Sequence, residues 1–351
     1  MTVWSYRARI AELVRRSKAA PSASEFRAAL GRQFPWLLAV ATCMTVVFPT
    51  SARADWPERT VKMIVTFPAG SANDAAARIV ADGLGKKWHK TVVVEDKPGA
   101  EGTIGVASFV SSQDDHTLLY TVVGSVTVAP LIIEKLPYDV DKDMVPIAAT
   151  TAIVLTLAVS RELAVTTVPE FVTQLKSNPG KYAWTSGPTL PRYVFAAFLK
   201  RNALQMNYVS YRDASQPQAD LGEGRIQALV TSWAASSSPV QSGKARYLAV
   251  INPTRAAVLP DLPTVRELGY PELEINGLAG IFGGKAMPDS LRARISVDIA
   301  AVLRDPEVRQ KLEAGGHNVL GGTTEELNAG ITAQKAWVAE ISKVIDIRNA
   351  Q

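Results

Sequence analysis

From Val61 onward, short apolar runs alternate with segments of helical period: VKMIVTF precedes DAAARIVADGL, TVVVE precedes a glycine-rich turn and IGVASFV, and TLLYT precedes VTVAPLIIEKL. Short runs rich in Val, Ile and Thr between turn residues read as strands, and the segments between them read as helices. Strand, loop and helix repeated in this order predict a largely parallel sheet covered on both faces. A second series follows: IVLTLAV, a helix over Val168–Lys176, YAWTS, a helix from about Pro191 to Arg201, NYVSY, a helix around Ser215 to Leu221, then IQALVTS. Thr167 and Glu170 have capping-box spacing, in which each side chain satisfies an amide of the first helical turn. After YLAVI a proline-rich segment leads from Pro253 to Pro271 and on to INGLAGIFGG. The C-terminal part is helical, starting near Asp289 and again after Thr323, where Thr323 and Glu326 repeat the capping spacing. Internal repeats of solenoid period and low-complexity tracts are lacking.

This order predicts a leader over 1–54, a first α/β domain from 55–155 plus 277–351, and a second α/β domain over 156–276. Two chain crossings join the domains, so the cleft between them is the natural ligand site.

The leader contains Pro35 to Phe48 (PWLLAVATCMTVVF), an apolar stretch after a basic segment and before Ala52-Arg53-Ala54, an A-x-A cleavage signal. As a helix those residues reach only ~21 Å at ~1.5 Å each, short of the ~30 Å hydrocarbon layer. The expectation is export to the periplasm with cleavage after Ala54. The remaining chain then has no cysteine, since Cys43 lies in the leader, and its stability rests on burial alone.

Charge looks informative until the leader is set aside. The chain has 38 Lys+Arg and 33 Asp+Glu, and residues 1–54 hold eight of the former and two of the latter, which leaves 30 cations and 31 anions. A near-neutral chain lacks the uncompensated basic stripe that nucleic acid requires, so no nucleic acid partner is expected. Three His and one Cys leave little for a metal cage, and neither metal nor cofactor is expected. Gly99, Gly102 and Gly105 are spaced GxxGxxG, not the GxGxxG of a dinucleotide turn. There is no GxSxG elbow, and His89, His116 and His317 have no evident nucleophile beside them, so no catalytic residue is assigned.

Two strand-to-helix turns carry the candidate chemistry. The first is Phe67, Pro68, Ala69, Gly70, Ser71, Ala72, Asn73 and Asp74. Small residues let backbone N–H groups face one point, and the following helix N-terminus adds roughly half a positive charge, so an anion is held without a cationic side chain. Asp74 either caps the helix over Ala75 to Leu84 or contacts the ligand; repulsion between anions favours the cap. The second turn runs from Thr185 to Tyr193 and offers Ser186, Gly187, Thr189 and Arg192. Arg192 either forms a bidentate pair with a carboxylate or is solvated on the helix surface. Ser125 and Thr127, and Thr231 and Ser232, occupy the same strand-end position, where an ordinary N-cap is the alternative. Trp184 and Trp233 either pack on an aromatic ligand or fill the core.

In these residues the chain resembles the extracytoplasmic receptors of tripartite tricarboxylate transporters, the Bug receptors. The resemblance covers WPERTVKMIVTFPAGSANDAAARIVADGL, VVVEDKPGAEGTIG, KLPYD at Lys135 to Asp139, NYVSYRDASQPQADLGEGRIQAL and LPDLPTVRELGYPEL, in that order. It implies a two-domain, type II-like periplasmic-binding-protein clamshell of α/β class with two crossing hinge segments. It also implies a monomer that encloses a small organic acid, mono- or dicarboxylate, and presents it to membrane permease subunits. By position, the 67–74 loop corresponds to the family's first carboxylate-holding loop and the 185–193 turn to its second. Ser71 stands where the family has a second Gly, Tyr193 where it has a His, and VSYRD at Val209 to Asp213 where it has VPYKG. A ligand-sensing module for a membrane kinase would carry the same sequence; a secreted hydrolase has no motif in its favour.

Overall fold

The computed structural model describes residues 56–348 apart from 188 and 212–214, all within the compact unit Trp56–Gln351. The expected leader and its cleavage point after Ala54 lie outside the described residues.

Among the described residues, eleven strands form two sheets. In chain order they are β1 (Val61–Val65), β2 (Val92–Asp96), β3 (Thr117–Val122), β4 (Met144–Ile153), β5 (Leu155–Ser160), β6 (Ala183–Ser186), β7 (Asn207–Tyr208), β8 (Ala228–Ser232), β9 (Ala245–Val250), β10 (Leu278–Gly284) and β11 (His317–Val319). The first sheet has the order β11-β4-β10-β3-β1-β2 and the second β7-β6-β8-β5-β9. The helices that matter below are α1 (Ala72–Trp88), α2 (Thr103–Ser112), α3 (Val168–Ser177), α4 (Leu190–Arg201), α5 (Gln216–Gly222), α6 (Trp233–Gln241), α7 (Asp289–Arg304), α8 (Pro306–Ala314) and α9 (Thr324–Ser342).

The sheets are mixed, which corrects the largely parallel expectation. β1 is parallel to β2 and β3, but β10 is antiparallel to β3 and β4, and β11 is antiparallel to β4. In the second sheet β6 is parallel to β7 and β8, while β5 is antiparallel to β8 and β9. The cause is the crossing. β4 leads out of the first sheet and β10 leads back into it, so these neighbours must oppose one another, as β5 and β9 do in the second sheet.

IVLTLAV reads as one strand in the sequence and is two in space. The break is at Val154, buried, whose amide donates to the Gly316 carbonyl at 2.8 Å and whose carbonyl accepts from the Trp233 amide at 2.8 Å. These bonds replace the ladder partners the residue lacks between sheets. Each sheet has its own core. β3 and β5 are buried at every position, and Phe171, Phe195 and Phe198 fill the second sheet's side with Trp184.

The two helix starts hold through their N-caps: Thr167 and Thr323 accept from the amides of Glu170 and Glu326 and start α3 and α9, but the Glu side chains accept from the Thr166 and Gly321 amides instead of closing a box on the N-cap. VTVAPLIIEKL is not one helix but two short turns, Gly124–Thr127 and Ala129–Ile132, with Pro130 opening the second. β4 was not legible because Pro146 and three alanines weaken its strand pattern.

Candidate functional site

β1 ends beneath the first turn, and α1 begins three residues earlier than a cap at Asp74 would dictate. Ser71 is the N-cap, its Oγ accepting from the Asp74 amide at 3.2 Å. This corrects the expected cap: Asp74 sits inside the first helical turn, buried, and its Oδ2 accepts from the Gly70 amide at 2.7 Å. Its other oxygen pairs with Arg78 at 2.7 Å, and Arg78 reaches Asp96 at 2.5 Å. Burial alone would raise the Asp74 carboxyl, but the Gly70 amide and the Arg78 guanidinium outweigh it and hold the group below the usual carboxylate range. Asp96 moves the other way, raised by burial and by the Asp74 charge.

Gly70, at φ +79°, is exposed and its amide is already taken by Asp74. The Ser71 amide donates to the Pro68 carbonyl at 3.1 Å. The amides of Ala72 and Asn73 are therefore what the start of α1 offers a ligand. The side chain of Asn73 is buried with Oδ1 unpartnered among the described residues.

The second turn is built differently. Gly187 donates to the Val230 carbonyl at 2.8 Å, and a Cβ there would lie 3.0 Å from Thr231 Oγ1, so a side chain at this position would press on the end of β8. Thr189 has φ +61°, and its amide donates to Glu101 Oε2 at 2.7 Å. Ser186 Oγ is shut off from water without a partner among the described residues, and so is Arg192 Nε. The Arg192 guanidinium stacks 4.3 Å from the Tyr208 ring centroid, half-buried in the wall rather than spread on the helix surface. Thr231 and Ser232 end β8, and Ser232 caps α6 through the Ala235 amide at 3.3 Å.

These turns face a cleft of about 480 Å³ between the sheets. Phe67, Ser71, Ala72 and Asn73 line it from the first turn; Ser186, Gly187, Thr189, Arg192, Thr231 and Ser232 line it from the second sheet. Five expected site residues do not line it. Ala69 and Gly70 face solvent, Asp74 faces Arg78, and Ser125 is buried beneath Gly102, where an added Cβ would come within 2.6 Å of its Oγ. Tyr193 packs in the second sheet's core, and burial, helped by Glu101, raises its hydroxyl. The helical period explains Tyr193: next to Arg192 on α4, it points about 100° away.

Trp184 lies tilted against Phe195 at 4.7 Å and edge-on to Tyr208 at 5.0 Å, and Trp233 packs against Gly316, so both tryptophans are structural. Thr127 donates to Gln334, which does line the cleft.

Sequence reasoning missed Glu101, Tyr208, Tyr211 and Gln334 in the lining. Glu101 was in view among the three glycines, and its charge inside a turn of small residues was the available signal. His317 supports the start of α1 from behind. Its Nε2 donates to the Ala72 carbonyl at 3.0 Å, and burial lowers its ring to about 4. Asp114, Asp115 and His116 bring ligand-type atoms within 4.8 Å of one another, but Arg59 neutralises Asp114 at 2.7 Å. No helix among the described residues is long and apolar enough to cross a membrane.

Residues 76–347 match the family model described as the tripartite tricarboxylate transporter family receptor. A protein encoded in the tcbD-tcbE intergenic region of Pseudomonas sp. (strain P51) is 29% identical over 296 residues, 83% of this chain and 88% of that one. A solved periplasmic transporter is 28% identical with TM-score 0.73, covering 82% of this chain and 97% of its own. The periplasmic binding protein BugD is 26% identical with TM-score 0.70, covering 82% and 98%.

Proposed function

Because the chain belongs to the tripartite tricarboxylate transporter receptor family, we propose that it is a periplasmic receptor whose cleft captures a small organic carboxylate and delivers it to the membrane permease subunits of such a transporter. It catalyses nothing in this reading. The domains are 55–155 with 277–351, and 156–276; they hinge where the chain crosses at 153–155 and 251–277. Export would remove residues 1–54.

One observation carries the ligand class. Ser186 Oγ and Arg192 Nε are donors withdrawn from water and left without partners among the described residues, both on a cleft that also receives the start of α1. An unsatisfied buried donor costs about 1–3 kcal/mol. A carboxylate recovers that cost, whereas a neutral sugar or an amine does so less well or not at all. Micromolar binding needs about −8 kcal/mol, and charge-assisted hydrogen bonds supply roughly 1.5 to 3 kcal/mol each before ordering costs. A few such bonds plus burial of the ligand body suffice.

A thermal-shift screen of mono- and dicarboxylates, with mass spectrometry of any acid that co-purifies, tests this reading. At least one acid raises the melting temperature; a flat screen with no co-purified acid contradicts it.

A further inference from the structure

Glu101 brings a carboxylate of the protein's own to the second turn's side of the cleft. Its Oε2 accepts from the Thr189 amide at 2.7 Å, which joins the glycine-rich turn of the first sheet's side to the turn that opens α4 on the second. Both ends of this contact are conformationally costly. Ala100 has φ +46°, Glu101 +56° and Thr189 +61°, all non-glycine residues in the left-handed region. Such outliers persist where surrounding structure over-determines them, and they cluster at ligand sites. Gly124 closes the same spot, since a Cβ there would lie 3.1 Å from Thr189 Oγ1. The charge is felt beyond the bond: after burial, Glu101 is the next cause that raises the Tyr193 hydroxyl.

We propose that Glu101 is a specificity-determining residue: it fills the second turn's amide with a carboxylate of the protein's own, so the cleft favours acids with one carboxylate over those with a second at the far end. This rests on the carboxylate-receptor reading above. Two turns that both present backbone amides to one cleft would suit a dicarboxylate, one charge for each turn. Here the amide at Thr189 is already satisfied. A dicarboxylate must either displace Glu101 or hold its second charge beside it. Among the described lining residues, Glu101 and Arg192 are the charged ones, so one cation serves two anions as soon as a monocarboxylate enters. A third anion has nothing to oppose it. Phe67, Leu155, Leu190 and Tyr208 give the wall apolar and aromatic surface that suits a hydrocarbon body, beside uncharged polar side chains such as Gln218, Asn276 and Gln334.

The test uses pairs of acids with one skeleton, hexanoate with adipate and benzoate with terephthalate, titrated calorimetrically into the protein and into Glu101→Gln and Glu101→Gly. Gln keeps the length and the acceptor and removes the charge; Gly removes both and tolerates the positive φ. The native protein binds the monocarboxylate of a pair more tightly, and the dicarboxylate-to-monocarboxylate affinity ratio rises tenfold or more in both variants. A ratio that stays within threefold in both, with carboxylates still bound, overturns the role of Glu101 alone. If no carboxylate of the pairs or of the wider screen binds the native protein, the receptor reading falls and this inference with it.

Discussion

Asn252 accepts a hydrogen bond from the Leu155 amide at 2.7 Å, and its other side-chain atom donates to the Ile153 carbonyl at 2.9 Å, so one buried side chain spans the break between the two sheets. It belongs to the returning segment, whose Ile251 amide also reaches Leu155 at 2.9 Å. The two crossings are thereby tied together at their narrowest point.

Replacing Asn252 with Ala leaves an amide and a carbonyl buried and unpaired, each costing about 1–3 kcal/mol. Asn252→Ala is expected to lower unfolding free energy by about 2–4 kcal/mol in urea titrations. A loss below about 0.5 kcal/mol would mean water replaces the side chain and the crossing is less tightly built.

His317 makes stability pH-dependent, with a definite sign. Burial lowers the folded ring to about 4, against 6.5 as the ordinary value. The neutral form is what the fold accepts, so its contribution is complete above pH 6.5 and is lost as pH falls from there towards 4. The size is about 3 kcal/mol if the whole difference is realised. His317→Gln can still donate to the Ala72 carbonyl and does not titrate. Its unfolding free energy should therefore fall less between pH 7 and pH 4.5 than that of the native protein; parallel curves would contradict this.

Gly70 should matter for stability and little for binding. Its φ of +79° penalises any other residue, but an added Cβ meets nothing within 4 Å and the residue does not line the cleft. Gly70→Ala is expected to cost about 1 kcal/mol and to leave carboxylate affinity within threefold by calorimetry. A tenfold loss would put the Gly70 amide back among the ligand's donors.

Arg192 should matter for binding. Arg192→Ala removes a charge-assisted donor of about 1.5–3 kcal/mol, or roughly ten- to a hundredfold in affinity. Arg192→Lys should restore only part, because an ammonium neither forks onto a carboxylate nor lies flat on Tyr208. Equal affinity in all three proteins would assign the guanidinium to wall packing.

Much of this architecture was legible because it is local. Thr167 with Glu170 and Thr323 with Glu326 fix helix starts by spacing alone, and the apolar runs at Val61 and Thr117 announce strands that are then buried. Strand direction was not legible, since β4 and β10 oppose one another only through a crossing that spans more than a hundred residues. The site divides in the same way. Ser71 and Ser186 fall in the cleft because they sit at strand ends, which pattern reveals. Asp74 and Gly70 satisfy each other instead of a ligand, and Glu101 reaches Thr189 from 88 positions away. Such pairings depend on which backbone amides the fold brings together, and neither periodicity nor composition records them.

The most direct test of the receptor reading is a crystal structure with an acid identified in the co-purification screen. Its carboxylate is expected between the start of α1 and the turn before α4, within about 3 Å of Ser186 Oγ or the Arg192 guanidinium. An acid bound elsewhere, with both donors still unpaired, would contradict it.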